Sequence, residues 1–371
     1  MSSDHQAQFE VLSNPEFLSE GSAITNLLHP SRVLIGSQQT PSGHKAAAAL
    51  AAIYEAWVPR DLIKTMDCWS SELAKLGANA MLAQRLSSIN SLSAICEVVG
   101  GDIESVYEAC ALDPRIGRDM LRPGAGWGGG CFQKDILDLV YIARSLGLDT
   151  VANYWMAVIE MNDDQKARFL RRIISCMHGS VARKPIAILG FSFKKNTSDT
   201  KNSPVIQLVQ GLLDEGAHVS IYDPMVPSTS ILTELASSSE AEQARTRICT
   251  TAYEACDGAE AVVIAIDWDE FQMTDQGSST PCNAGEEAGR RLTPESDEHL
   301  PAQPLPSSSS PGKEPMDWNR IVQGMQKPKL VFDSWNCLPG ERVSQLGCRY
   351  VPIGRRSESD AARKNRYPFS A

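Results

Sequence analysis

No stretch of this 371-residue sequence is apolar for long enough to cross a membrane, and its first residues lack the basic and hydrophobic parts of a secretory signal. We therefore expect neither a membrane partner nor export. The ten cysteines show neither a zinc-ligand spacing nor a compact disulfide framework, which favours a reducing, cytoplasmic compartment. Lys and Arg number 35 against 45 Asp and Glu, and the formal net charge of −10 argues against a nucleic-acid partner.

The composition that is present fits a folded protein of two or three domains, with 42% hydrophobic and 22% charged residues. Residues 271 to 317 differ abruptly, because Ser, Pro, Gly, Glu and Thr dominate there. Such a segment cannot form a packed core, so we predict a disordered insert at about residues 274–317. The polar and basic residues 361–371 read as a solvated tail.

Hydrophobic periodicity predicts few strands and much helix before residue 180. The predicted strands are residues 8–12 and 32–35. The predicted helices are residues 45–57, 69–99, 102–110, 132–146 and 153–177. Two strands cannot bury both faces of a parallel sheet, so the first segment resembles part of a larger sheet. A helix of some thirty residues is long for a globular protein and often forms a spine or a dimer interface.

After residue 184 the pattern alternates between strands and helices. We predict strands at residues 186–189, 218–222, 261–266 and 329–332, and helices at 205–215 and 252–258. Alternation of this kind predicts a parallel, doubly wound α/β domain.

A glycine-dense loop at residues 122–130 delivers Cys131 to the start of a predicted helix. The first helical N–H groups and the positive end of the helix favour a thiolate there, and Lys134 adds a cation. Asp135 lies four residues on and shares the helix face of Cys131. These features suit a nucleophile, but a cysteine is most often a small buried hydrophobe, and the residues alone leave both interpretations open.

Residues 124–129 match the dinucleotide fingerprint G-x-G-x-x-G letter for letter. That fingerprint needs a strand before it and a βαβ unit around it. Residues 116–123 do not read as a strand, so we reject this loop as a phosphate cradle for NAD.

Five motifs occur in an order that identifies a resemblance. They are NPEFLSEG at 14–21, ELAKLGAN at 72–79, DPRIG at 113–117, GGGCFQKD at 128–135 and ILGFSFK at 188–194. The set resembles the UDP-glucose 6-dehydrogenases of the UDP-glucose/GDP-mannose dehydrogenase family over nearly all of the chain except the insert and the tail. The resemblance implies three parts: a remnant of an NAD-binding Rossmann-like sheet at 1–66, a central helical dimerisation domain at 67–180, and a UDP-binding α/β domain at 181–360.

The family resemblance also implies an activity, the two-step oxidation of UDP-glucose to UDP-glucuronate with NAD as cofactor, through a cysteine thioester. Cys131 would be the nucleophile, and Lys75 and Asn79, four apart on the long helix, would steady the oxyanion. Asp135 would orient water and Glu16 would assist thioester hydrolysis. Without the resemblance, Lys75 and Asn79 read as a solvated helix edge and Glu16 as a turn residue.

The implied substrate contacts come from both halves of the chain, and Arg115 would reach the substrate of a second copy in a homo-oligomer. They are Phe17, Leu18, Glu20, Arg115, Arg122, Trp127, Gly128, Phe193 and Lys194. The implied NAD contacts are Glu20, Cys131, Lys134 and Lys201. Singly, each of these cations would more often be a solvated surface charge. No metal site is implied.

Several positions depart from the family pattern. The family's glycine fingerprint and ribose-binding carboxylate are absent, so we expect the chain to start within the last part of the NAD-binding domain. Lys201 stands where arginine is expected, Arg122 replaces a lysine, and Gly130 replaces a serine. Residues 333–336 replace an Asp-x-Arg signature, so that Trp335 stands in place of a substrate-contacting arginine, and the insert is expected to displace a helix before the strand at 329–332.

These departures leave three hypotheses. The chain is a member of this enzyme family, or a truncated, non-catalytic relative that binds UDP-sugar or assembles with a full-length enzyme, or a sequence that is incomplete at its start.

Overall fold

A computed structural model describes residues 9–236, 239–273 and 315–356. The chain divides into two compact units. The first comprises Met1–Leu82 and Cys131–Ala157, and the second comprises Ala83–Gly130 and Val158–Ala371. Two long helices each contribute residues to both units. No helix among the described residues is both long and apolar enough to cross a membrane.

The first unit contains a two-stranded parallel sheet and helices. Its elements are α1 (Ala23–Leu28), β1 (Val33–Ser37), α2 (Pro41–Tyr54) and β2 (Ile63–Asp67), followed by the start of α3 (Cys68–Val99). β1 pairs with β2 from Val33 opposite Ile63 to Ser37 opposite Asp67. Thr40 begins α2 by accepting a hydrogen bond from the Gly43 N–H at 3.0 Å, and one face of α2 packs on β1.

The strand predicted at residues 8–12 is wrong for the described residues 9–12, which form no strand. Phe9 and Val11 are 85% and 74% exposed, so their side chains have no core to pack against. Contact with the sheet is made by Ser13, through an antiparallel bridge to Gly36, and by Leu12, which packs on the core of the first unit. β2 was not predicted, because only Ile63 of its five residues is fully buried.

Four helices lie between β2 and the next strand of the chain. α3 has 32 residues, and α4 (Ile103–Ala111), α5 (Gly130–Ser145) and α6 (Asp149–Cys176) follow it. All four lie where helical periodicity predicts them, with ends shifted by at most four residues. α4 begins at Asp102, whose carboxylate accepts the Glu104 N–H at 3.1 Å.

The second unit contains a six-stranded, wholly parallel sheet. Its strands are β3 (Pro185–Leu189), β4 (His218–Tyr222), β5 (Thr246–Ile248), β6 (Ala261–Ile264), β7 (Leu330–Asp333) and β8 (Arg349–Pro352). Its helices are α7 (Pro204–Asp214), α8 (Ser228–Glu234), α9 (Glu240–Gln243), α10 (Ala252–Cys256), α11 (Trp318–Gly324) and α12 (Gly340–Gln345). In the strand order β5-β4-β3-β6-β7-β8, the chain first adds strands on one side of β3 and then, from β6 onward, on its other side. This order confirms the predicted doubly wound α/β domain.

The insert predicted at 274–317 lies for the most part outside the described residues, as does the tail at 361–371. Its last residues are described, and the upper boundary is wrong: Met316 is buried in the core and Asp317 caps α11. The expected displacement of a helix is also wrong, because α11 lies between β6 and β7.

Candidate functional site

Cys131 is the second residue of α5, and its side chain is exposed. The helix begins two residues earlier than predicted, so the sulfur lies within its first turn. Asp135 follows one turn later on the same face and is only 1% exposed. The helix N-terminus therefore presents a thiol to solvent above a buried carboxylate.

Two side chains hold the Asp135 carboxylate. The Asn79 Nδ2 donates to Oδ2 at 2.5 Å, across 56 residues of sequence, and the Lys134 Nζ lies 2.9 Å from Oδ1. The hydrogen bond and charge of Asp135 raise the pKa of Lys134, and Asp138 and Cys131 add smaller contributions of the same sign. A cation is thus fixed beside the cysteine in the first turn of α5.

Lys75 lies one turn before Asn79 on α3 and contacts a different acceptor. Its ammonium donates to the Glu16 carbonyl and lies 3.3 Å from the Glu16 Oε1. The same carboxylate accepts the Leu18 N–H at 2.6 Å, which is the turn geometry that the residues alone predict. The Glu16 carboxylate therefore both stabilises a turn and forms an ion pair with Lys75.

The segment after Glu16 is open to solvent. Phe17 is half-buried beneath the Arg32 guanidinium, 3.8 Å from the ring centre, whereas Leu18 and Glu20 are exposed. A cleft of about 200 Å³ lies beside this segment, lined by residues that include Phe17, Leu18 and Arg32.

In the second unit, the predicted ligand residues gather at the carboxyl edge of the sheet. Phe193 and Lys194 follow β3, and Trp335 follows β7. The glycine loop reaches the same edge, because a Cβ built on Gly124 would lie 3.5 Å from the Trp335 ring and one on Gly129 would lie 3.1 Å from Phe193. In open α/β sheets, ligands bind at this edge, where the strand order reverses.

Cations face the same edge. Burial raises the pKa of Asp267, which follows β6, while Lys195 and Arg122 oppose that rise through their positive charge. Both cations are therefore close enough to Asp267 to act on it electrostatically. The indole Nε1 of Trp335, which stands where the family pattern has an arginine, donates to the Ala265 carbonyl at 2.8 Å.

The glycine loop cannot cradle a pyrophosphate as a dinucleotide fingerprint would. No strand leads directly into it, and three of its N–H groups are already used. The amides of Gly124, Trp127 and Gly129 donate to Asn90, Asn162 and the Lys201 carbonyl at 2.9, 2.8 and 3.0 Å. The structure agrees with the rejection of this loop as an NAD fingerprint.

The remaining predicted site residues differ in burial: Trp127 is buried, Gly128 and Gly130 are closely packed, and Arg115 is exposed. Trp127 is only 7% exposed, and its indole donates to the Ser87 hydroxyl at 3.0 Å, so it contacts the protein interior. A Cβ on Gly128 would lie 2.4 Å from the Asn202 carbonyl oxygen, and one on Gly130 would lie 2.9 Å from the Lys201 Cδ. The Arg115 side chain is 87% exposed and pairs with Asp113 at 2.7 Å.

Sequence reasoning missed two sets of polar residues. Asp223, after β4, accepts N–H bonds from Phe191, Ser192, Met225 and Val226 and from the Trp268 indole. It is therefore satisfied within the protein, rather than free to bind a ribose as the acidic residue of a dinucleotide site does. The second set is a buried polar face shared by α3 and α6, which polar residues at helical spacing could have revealed.

Among the described residues, no group of three or more His, Cys, Asp or Glu side chains could hold a metal ion. The first unit thus brings together Cys131, Asp135, Asn79 and Lys134, with Lys75 and Glu16 in a separate pair. The second unit brings the glycine loop to the sheet edge.

Comparisons with known proteins agree across the chain. Models of the UDP-glucose/GDP-mannose dehydrogenase family match three segments: the NAD binding domain at 1–58, the central domain at 69–164 and the UDP binding domain at 187–281. UDP-glucose 6-dehydrogenase from Pongo abelii is 53% identical over 356 residues, which are 94% of this chain and 64% of the relative. The Drosophila melanogaster UDP-glucose 6-dehydrogenase is 43% identical over 353 residues, 94% of this chain and 65% of the relative.

Among solved structures, a UDP-glucose dehydrogenase from Pyrobaculum islandicum superposes with a TM-score of 0.62 at 31% identity, covering 71% of this chain and 57% of that one. The chain spans just under two thirds of the length of the curated relatives it matches. Three consecutive family models, this identity and the observed fold lead to one conclusion: the chain belongs to the UDP-glucose/GDP-mannose dehydrogenase family.

Proposed function

We propose that this chain contains the nucleophile and the UDP-binding edge of an enzyme that oxidises UDP-glucose to UDP-glucuronate with NAD as the electron acceptor. Relatives at 53% identity are named UDP-glucose 6-dehydrogenase, which supports UDP-glucose as the substrate. The observation on which the proposal chiefly rests is the first turn of α5, where an exposed thiol stands over a buried carboxylate held by Asn79 and Lys134.

In the proposed chemistry, the Cys131 thiolate attacks the C6 aldehyde carbon of the sugar. A C–S bond forms, and the carbonyl π electrons move to oxygen, where the Lys75 ammonium and the Asn79 amide stabilise the charge. The second oxidation converts this adduct into a thioester. Water then adds to the thioester carbon, the C–S bond breaks with its electrons returning to sulfur, and the product is a carboxylate.

Asp135 would orient the attacking water, and Glu16 would assist hydrolysis of the thioester. Asp135 accepts from Asn79 and from Lys134, so it can fix both donors around the reacting carbon. Glu16 is exposed and already paired with Lys75, which places a carboxylate and an ammonium in one proton-sharing pair. When bound, NAD would accept the hydride in each of the two oxidations.

The described residues fit only part of an NAD site. Lys134 and Lys201 supply cations and Glu20 an exposed carboxylate. No strand–glycine loop–helix unit with the dinucleotide fingerprint precedes them in the described part of the chain, and the loop at residues 124–129 has three of its amides occupied. We therefore assign no hydride transfer to any residue of this chain.

The UDP moiety fits the carboxyl edge of the second unit's sheet. Arg122 and Lys194 provide charge for a diphosphate and Phe193 an aromatic surface for the base. Of the other proposed substrate contacts, Trp127 and Gly128 belong to the glycine loop of the second unit, and Phe17, Leu18 and Glu20 belong to the first unit. The exposure of Arg115 suits a residue that reaches the substrate of a second copy in a cytoplasmic homo-oligomer.

A second function, UDP-sugar binding without oxidation, is favoured by one observation. The nucleotide edge lies within one compact unit, whereas the described residues hold no usable dinucleotide fingerprint. Such a chain would bind UDP-glucose and form no NADH. Assembly with a full-length enzyme would be its remaining role.

The test uses the C6 aldehyde of UDP-glucose, because addition of Cys131 to it requires no NAD. We expect the aldehyde to protect Cys131 from iodoacetamide more strongly than UDP does, measured by peptide mass spectrometry. Cys68, half-buried at the start of α3, is the control thiol in the same sample and should react at an unchanged rate.

The outcomes separate the functions. UDP binding without aldehyde protection of Cys131 would favour the non-catalytic function, and absence of UDP binding would reject both. In an assembly that forms NADH, Cys131→Ser should abolish UDP-glucuronate formation while Cys68→Ser should not.

A further inference from the structure

The glycine loop is buried although it has no regular secondary structure. Pro123, Gly124, Gly126, Trp127 and Gly129 are all buried, and none of them belongs to a helix or strand. Buried backbone groups need hydrogen-bond partners, and irregular backbone cannot supply them itself. The loop must therefore be satisfied by other parts of the second unit.

Three buried amide side chains supply these partners. Asn90 on α3 accepts the Gly124 N–H at 2.9 Å, and Gln165 on α6 donates to the Gly124 carbonyl at 2.6 Å. Asn162 on α6 forms two hydrogen bonds with the backbone of Trp127. Its Oδ1 accepts the Trp127 N–H at 2.8 Å, and its Nδ2 donates to the Trp127 carbonyl at 3.0 Å. The three amides are at most 2% exposed.

The amides belong to a polar ladder between two helices. On α3 its members are Ser87, Asn90, Ser93 and Glu97, and on α6 they are Asn162, Gln165, Arg168 and Arg172. Successive members on each helix are three or four residues apart, so each set forms one face. Arg168 donates to Gln165 and to Glu97, which fixes the orientation of the Gln165 amide.

We infer that Asn162 is a positioning residue for nucleotide binding. It acts through the backbone of Trp127 and holds the glycine loop, including Arg122, against the carboxyl edge of the sheet. This inference rests on the proposed function, because it takes UDP as the ligand of that edge. The loop includes Gly126 and Gly129 at φ +126° and +89°, so the chain itself is permissive and needs an external constraint.

An amide is the side chain that this position requires. It offers one donor and one acceptor side by side, which match the N–H and C=O of one residue. A carboxylate would keep the acceptor but place a second oxygen against the Trp127 carbonyl. A protonated carboxylic acid would restore both bonds, since its O–H can donate.

The test therefore compares Asn162→Asp with Asn153→Asp, a matched change at an exposed position of α6. The Kd for UDP is measured by calorimetry on the full chain, with amide hydrogen exchange of the loop peptide alongside. At about pH 8 we expect Asn162→Asp to weaken UDP binding at least about tenfold and to speed loop exchange, with Asn153→Asp unchanged. Towards about pH 5 the difference between the two variants should shrink as the carboxylate introduced by Asn162→Asp takes up a proton.

The other groups near Asn162 do not mimic this profile. Those that the structure brings to this end of the ladder are Lys166 with its partner Asp163, the neutral Ser87 and Asn90, and the Asn202 backbone. All of them are shared by the two variants, and protonation of UDP itself affects both equally. The ratio of the two Kd values therefore isolates the substituted side chain.

Each result decides between defined alternatives. Equal Kd values for the two variants at about pH 8 would overturn the positioning role while leaving UDP binding intact. Weakened binding that does not recover in acid would also overturn it, because a general loss of packing gives that pattern. If the unsubstituted chain does not bind UDP, the proposed function fails and this inference fails with it.

Discussion

At the scale of single residues, Asp267 is a carboxylate whose burial outweighs its cationic neighbours. Its pKa is raised, chiefly by burial, despite Lys195 and Arg122. A carboxyl with a raised folded-state pKa contributes stability that is fully present below its unfolded pKa and is lost as pH rises through the folded pKa. At neutral pH, the ionised Asp267 carboxylate therefore lowers the free energy of unfolding of the wild-type chain.

We expect Asp267→Asn to increase the free energy of unfolding at about pH 8, by about 1.4 kcal/mol for each unit by which the pKa is raised, and to gain less near about pH 4. Urea unfolding at both pH values measures the difference. The control is Asp138→Asn, an exposed aspartate on α5 in the first unit, which should show no such trend. A gain that grows as pH falls would contradict the direction of the pKa shift.

The same scale shows what residue spacing can and cannot predict. Spacing of four predicts that Cys131 and Asp135 share a face of α5, and likewise Lys75 and Asn79 on α3. It cannot predict that Asn79 donates to Asp135, because 56 residues separate them and a helical turn says nothing about contacts between helices. Only the resemblance to a family suggested that these residues act together.

At the scale of elements, two glycines within helices have opposite surroundings. A Cβ on Gly77 in α3 meets nothing within 4 Å, whereas one on Gly211 in α7 would lie 2.3 Å from the Leu170 Cδ2. Glycine within a helix costs roughly 0.5–1 kcal/mol relative to alanine. The first site can realise this gain and the second cannot without moving Leu170.

We therefore expect Gly77→Ala to raise the free energy of unfolding by roughly 0.5–1 kcal/mol. Gly211→Ala should show no gain or a loss, because overpacking offsets the helical preference. Urea denaturation of the two variants in parallel gives the comparison. An equal gain in both would mean that Leu170 moves aside without cost.

Element prediction succeeded where periodicity was strong and failed where elements were short. The helices α3, α5 and α6 follow from long stretches without proline. The strands β2, β5 and β8 were missed because most of their residues are partly exposed, whereas the equally short β6 and β7 are buried throughout. The polar ladder was missed for a different reason: a search for apolar stripes overlooks a helix face that is buried and hydrogen-bonded.

At the scale of the whole molecule, the doubly wound domain was predictable and the first unit was not. Alternating buried strands and helices after residue 184 leave few arrangements other than a parallel sheet. In the first unit, two strands and exposed apolar residues such as Phe9 and Ile24 give no comparable constraint. The motifs identified the family there, whereas hydrophobic pattern alone gave one strand that does not form.

Exposed apolar residues of the second unit offer a surface on which the proposed homo-oligomer can be tested. Leu92, Ile95 and Val99 on α3 are 38%, 56% and 69% exposed, and their spacing of three and four places them on one stripe. Apolar side chains grouped in this way typically mark an interaction surface. A charged pair in the stripe would have to be desolvated on association, which is costly.

We expect the double variant Ile95→Glu, Val99→Glu to lower the oligomeric mass, measured by light scattering after size-exclusion chromatography. The control is Leu232→Glu on α8, an apolar residue that is 58% exposed and distant from α3 in the sequence, which should keep the mass of the unsubstituted chain. UDP binding measured on the same samples separates assembly from folding, because a misfolded variant would lose both. If the double variant keeps its mass and binds UDP normally, the stripe on α3 is not the surface through which copies of this chain associate.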